Sequence, residues 1–115
     1  MKPQALIISN NRHSIAYISG LGAYGFHVQD TRTIETGRIL LKSGSNPQTI
    51  IIDIKQHADD IADFIQFVRS ELHNTQTYII IIGCENDFAL TFGADKCLQR
   101  PADVHDIIAI LQTAL

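Results

Sequence analysis

Six residues that follow short apolar runs are the first candidates for chemistry in this chain: Ser9, Asn10, Asp30, Asp53, Gly83 and Arg100. Asp53 closes the β-branched run Thr49-Ile50-Ile51-Ile52, and Arg100 stands just before Pro101. Arginine presents a planar donor fork that matches a carboxylate, unlike the point charge of lysine. If the two run ends lie side by side, Arg100 neutralises Asp53; the alternative is a solvated Arg100. Ser9 and Asn10 are neutral. They suit either a small polar ligand or the capping of their own loop, since both side chains bond nearby backbone readily. Arg12, Arg32 and Arg100 could meet an anion, but no motif demands one. The five histidines, at 13, 27, 57, 73 and 105, show no metal-ligand spacing and read as surface residues. Gly20-Leu21-Gly22 and Gly44 do not form the glycine fingerprint of a dinucleotide site.

Short strands alternating with helices must hold these residues. Apolar runs at 5–8, 26–28, 49–52 and 78–82 predict strands, with a fifth at 96–99. The third and fourth are continuous rather than alternating, as strands are when helices cover both sheet faces. Ile61, Phe64, Ile65, Val68 and Leu72 form one helical stripe, with Asp59 and Asp60 at the end where carboxylates suit the helix dipole. Val104, Ile107, Ile108, Leu111 and Leu115 form another, opened by Pro101. Weaker helical patterns run over 15–21 and 34–41. The alternation predicts an α/β fold with an open parallel sheet and right-handed crossovers. Sites in such sheets lie at the carboxyl ends of the strands, where the six residues fall.

The chain's 115 residues suit a single domain. With 45% hydrophobic and 18% charged residues, the composition is that of a folded globule rather than a disordered segment. A net charge of −3 without a basic run argues against direct nucleic-acid binding. No apolar run is long enough to span a membrane, and the start lacks the apolar region of a signal peptide. Cys84 and Cys97 make neither a disulfide framework nor a zinc site, so the expectation is a cytoplasmic protein with reduced thiols. The sequence opens at Met1 and ends inside a helical pattern, which fits the N-terminal domain of a longer chain as well as a free-standing one.

Three segments, in order, resemble the receiver domain of two-component response regulators. Pro47-Gln48-Thr49-Ile50-Ile51-Ile52-Asp53-Ile54 resembles the third strand with its phosphoacceptor aspartate. Gly93-Ala94-Asp95-Lys96-Cys97-Leu98-Gln99-Arg100-Pro101 resembles the segment on the fifth strand that ends in Lys-Pro. Tyr24-Gly25-Phe26-His27-Val28 resembles the approach to strand two. The resemblance spans nearly the whole chain. It implies a flavodoxin-like, three-layer fold with five parallel strands in the order 2-1-3-4-5, spanning residues 1–115 as one receiver-like domain. It also implies a signalling module rather than an enzyme.

Against that family, the positions that carry the chemistry differ. The acidic pair that binds Mg²⁺ falls on Ser9 and Asn10, the hydroxyl position on Gly83, the aromatic on Cys97 and the lysine on Arg100; only the aspartate is kept, as Asp53. Mg²⁺ takes octahedral oxygen ligands, including one or two carboxylates, and phosphoryl transfer relies on the charge it neutralises. Asp53 would have to hold the ion nearly alone, so no cofactor is expected. The family's fourth helix also has little room between Gly83 and Gly93 and is expected to be short or missing. Phe88, Leu90 and Phe92 there are candidates for a partner surface or for covering the core a lost helix would expose. The function these departures imply is that of a pseudo-receiver, acting by phosphorylation-independent contact with a signalling protein or a linked output domain. A receiver still phosphorylated on Asp53 by a histidine kinase and a sensor of a nucleotide second messenger are the alternatives. Oligomeric state, homodimer included, stays open.

Overall fold

The computed structural model describes residues 2–12, 14–53, 58–83, 93–100 and 102–114. Five strands, β1 (Gln4–Ser9), β2 (His27–Thr31), β3 (Thr49–Asp53), β4 (Tyr78–Ile82) and β5 (Lys96–Leu98), form one parallel sheet in the order β2-β1-β3-β4-β5. Helices α1 (Ser14–Tyr24), α2 (Ile34–Lys42), α3 (Ala58–Gln66) and α4 (Val104–Ala114) surround it. The expected α/β class and strand order are both present.

Strand alternation divides the core in two. Leu6, Ile8, Ile50, Ile52, Ile79 and Ile81 face one way and pack with Ile34 and Leu41 of α2 and Phe64 and Ile65 of α3. Ala5, Ile7, Ile51, Ile80 and Ile82 face the other way, against Tyr17 and Leu21 of α1 and Ile107 and Leu111 of α4. Burying each isoleucine contributes roughly 1.5–3 kcal/mol, so the isoleucine runs of β3 and β4 supply much of the drive to fold. The glycine at position 20 lets α1 approach α4: a Cβ there would lie 3.0 Å from Val104 Cγ1 and nearer still to Cγ2.

Three elements depart from the sequence reading. β2 begins one residue later than expected and runs on to Thr31. It is an edge strand with polar, partly exposed residues, so it lacks the continuous apolar run that marks β3 and β4. The stripe expected to be one helix through Leu72 changes pitch at Phe67–Glu71, a π-helical turn in which the Leu72 N–H reaches the Phe67 carbonyl at 3.1 Å. The wider turn still buries Phe67 and Val68. Cys97 is disulfide-bonded, where a reduced thiol was expected; the other cysteine, Cys84, lies outside the described residues. The expected shortening of the family's fourth helix, and with it Phe88, Leu90 and Phe92, also lies outside them.

Candidate functional site

At the carboxyl ends of β1 and β3, register sets Ser9 beside Asp53. Both are buried. The Ser9 hydroxyl accepts the N–H of Asn11 at 3.4 Å, which is loop capping of the kind its residue type favours. Asn11, half-buried, donates its side-chain N–H to the Asp53 carbonyl at 3.2 Å and ties the β1 loop to the end of β3. Asn10 is exposed.

The Asp53 carboxylate, 2% exposed, accepts from Arg100 Nη2 at 2.5 Å, and the Arg100 side chain is 34% exposed. This is the ion pair that the arginine suggested. An isolated buried carboxylate is costly, so a charged partner and hydrogen bonds are what make Asp53 tolerable there. Arg100 covers it from the solvent side. Its guanidinium lies against Gly83, which follows β4 with φ +85° and donates its N–H to the Leu98 carbonyl at 2.7 Å. A Cβ on Gly83 would fall 2.6 Å from Arg100 Nε and 3.1 Å from Cζ.

A third side chain completes the group. Tyr17 of α1 is buried, and its hydroxyl donates to the Ala102 carbonyl at 3.3 Å, near enough to the Asp53 carboxylate to feel its charge. Burial first, and the Asp53 carboxylate second, push its phenol up to about 12. Tyr17 therefore stays a neutral donor at any physiological pH.

Sequence reasoning found Asp53, Arg100, Gly83 and Ser9, and the fold brings these four together. It missed Asn11 and Tyr17. A signal for Tyr17 was present: it lies four residues before Leu21, on the inward stripe of α1, and a buried tyrosine hydroxyl usually has a partner. Asn11 resembles any other loop residue and carried no such signal. Cys97 sits on β5 opposite Ile81, and Arg12 and Arg32 are exposed. Among the described residues, no group of three His, Cys, Asp or Glu is placed to hold a metal ion. A groove of about 940 Å³ lies at the other end of the sheet, where Gln48 and Thr77 precede β3 and β4, and does not touch Asp53.

Among the solved structures that share this fold are receiver domains and response regulators. The chemotaxis response regulator CheY4 of Vibrio cholerae superposes with a TM-score of 0.84 at 16% identity, over 100% of both chains. An orphan response regulator of H. pylori gives 0.80 at 20% identity, over 98% of this chain and 96% of its own. The receiver domain of a sensor histidine kinase from Pseudomonas aeruginosa PAO1, which has a magnesium ion coordinated in its active-site cleft, gives 0.79 at 16% identity, over 98% and 97%. No protein-family model matches the chain, and no curated protein matches it in sequence. The chain thus has the fold of CheY-like receiver domains. At these identities the likeness is one of fold.

Proposed function

We propose that this protein is a pseudo-receiver of two-component-type signal transduction, a binding module that works by protein–protein contact without taking up a phosphoryl group. One observation carries the reading. Arg100 occupies the Asp53 carboxylate in a pocket where the position that resembles the family's hydroxyl residue is Gly83. Phosphoryl transfer is catalysed almost wholly by positioning and by charge neutralisation around the attacked and leaving oxygens. Here one of the two carboxylate oxygens, Oδ1, is engaged by Arg100, and no hydroxyl at Gly83 can bond the incoming group.

The donor set also does not fit Mg²⁺. The β1 end offers Ser9, whose hydroxyl already accepts from Asn11, and the exposed Asn10. Asp53 Oδ1 is bound to a guanidinium whose charge would repel the ion. A divalent cation needs more negative charge than this pocket supplies. The module is read as non-enzymatic, acting on a signalling protein or a linked output domain; the bonded Cys97 removes the reduced-thiol argument for a cytoplasmic location. No helix among the described residues is long and apolar enough to cross a membrane.

The test is intact-mass analysis after incubation with acetyl phosphate and Mg²⁺. The expected spectrum shows unmodified protein. A phosphoryl adduct that disappears in Asp53→Ala would establish the rival reading, a degenerate receiver still charged on Asp53.

A further inference from the structure

We infer that Gly83 is the steric gate that admits Arg100 to Asp53, so that a side chain at position 83 and the Arg100–Asp53 pair exclude each other. The inference rests on reading that pair as the resting state of the site, and it assigns a positioning role to a residue with no side chain. The geometry is specific. An ideal Cβ on Gly83 would meet three guanidinium atoms of Arg100, Nε at 2.6 Å, Cζ at 3.1 Å and Nη2 at 3.2 Å. Nη2 is the same nitrogen that donates to Asp53 Oδ1. Moving the guanidinium off Gly83 therefore moves its donor off the carboxylate.

Gly83 has little freedom to absorb the clash, so the guanidinium, the end of a flexible side chain that is 34% exposed, is what moves. Gly83 is held by the bond from its N–H to the Leu98 carbonyl, and Arg100 leaves the chain two residues after Leu98. A hydroxyl residue at 83 would also put its oxygen into the space that the guanidinium fills. The loss of the hydroxyl and the gain of the arginine are on this account one structural change, not two.

Strain must be separated from the clash. Gly83 has φ +85°, a region that side chains rarely adopt, so any substitution there carries a backbone cost of its own. That cost is the same whether or not Arg100 is present. A double-mutant cycle removes it: Gly83→Ala is made in the native chain and in Arg100→Ala, and the unfolding constant of each of the four proteins is measured in urea. If Arg100 is the obstacle, the fold-change caused by Gly83→Ala is at least tenfold smaller in the Arg100→Ala background. Equal fold-changes in both backgrounds would overturn the gate.

A second measurement covers the case in which Gly83→Ala folds poorly. Gly83→Asn tolerates positive φ better and carries the same Cβ. The side-chain N–H signals of Arg100 in NMR are expected to exchange slowly in the native chain and at least tenfold faster in Gly83→Asn, as in Asp53→Asn. Unchanged signals in Gly83→Asn contradict the proposal. Failure here is distinct from failure of the pseudo-receiver reading, because the mass analysis above uses the native chain alone. A native protein that takes up a phosphoryl group could still have the gate, and an inert one could lack it.

Discussion

Among the described residues each end of the sheet carries one arginine–aspartate pair, and the two are built differently. Arg69 and Asp95 stand near the amino ends of β4 and β5. Arg69 Nε and Nη2 both donate to the Gly93 carbonyl, at 3.1 and 2.8 Å, and Nη1 donates to the carbonyls of Asn74 and Thr77, at 3.2 and 2.8 Å. Nη2 also donates to Asp95, whose carboxylate accepts the Ile79 N–H in turn. This arginine joins the π-helical turn to the start of both strands and has little donor capacity left. Arg100 at the opposite end makes one such bond, to a carboxylate 2% exposed, and keeps a third of its own surface in water. The first pair holds chain segments together. The second occupies a site. An ion pair's role is thus read from what else its members bond, more than from its distance.

Breaking the pairs one at a time sharpens the contrast. Arg69→Ala strands several carbonyls and one aspartate, and should destabilise the fold by about 3–4 kcal/mol in urea unfolding. The next effect depends on pH. The Tyr17 phenol loses its proton near pH 10 in the unfolded chain and at about 12 in the folded one. The unfolded state therefore binds fewer protons across that window. Stability from this group is complete below pH 10 and lost as pH rises toward 12, by roughly 2–3 kcal/mol. Tyr17→Phe should flatten that alkaline decline in a pH series of melts. The remaining slope should include Tyr78, raised chiefly by burial and then by Asp95.

Arg100→Ala should cost less than Arg69→Ala, about 1–2 kcal/mol, because water can reach the uncovered Asp53 and one-third exposure already screens the pair. Asp53→Asn added to Arg100→Ala should recover most of that loss, since it removes the unpaired charge. The smallest change expected is Arg100→Lys, under about 1 kcal/mol, because one charged donor is all the pair uses. Arg69→Lys should cost more than Arg100→Lys, because no ammonium reproduces a guanidinium bonded on several edges. Equal losses for the two lysine variants would erase the distinction between the pairs.

Much of this architecture was legible in the amino acids. Thr49 to Ile52 and Tyr78 to Ile82 could hardly be anything but strands covered on both faces, and Asp53 was marked by standing where such a run stops. Arg100 was marked by its own chemistry, but the sequence left it open between a pair with Asp53 and a solvated side chain. What stayed hidden depends on contacts distant in sequence. The polar edge of β2 has no apolar run to show it, and the pitch change at Phe67 leaves the apolar stripe almost intact. Asn11 and Tyr17 reach Asp53 from 42 and 36 residues away, by the 11-to-53 and 17-to-53 separations, and no local pattern encodes that. The proposed exclusion between Gly83 and Arg100 needed coordinates as well, since the sequence shows a glycine at 83 but not what lies against it.

Titration with Mg²⁺, followed through the backbone amide signals of Ser9 and Asp53, tests the central claim most directly. A site closed by Arg100 predicts no saturable shift at either residue, in the native chain or in Asp53→Asn. A saturable shift at both, abolished by Asp53→Asn, would show that the pocket still holds the ion and would contradict the account.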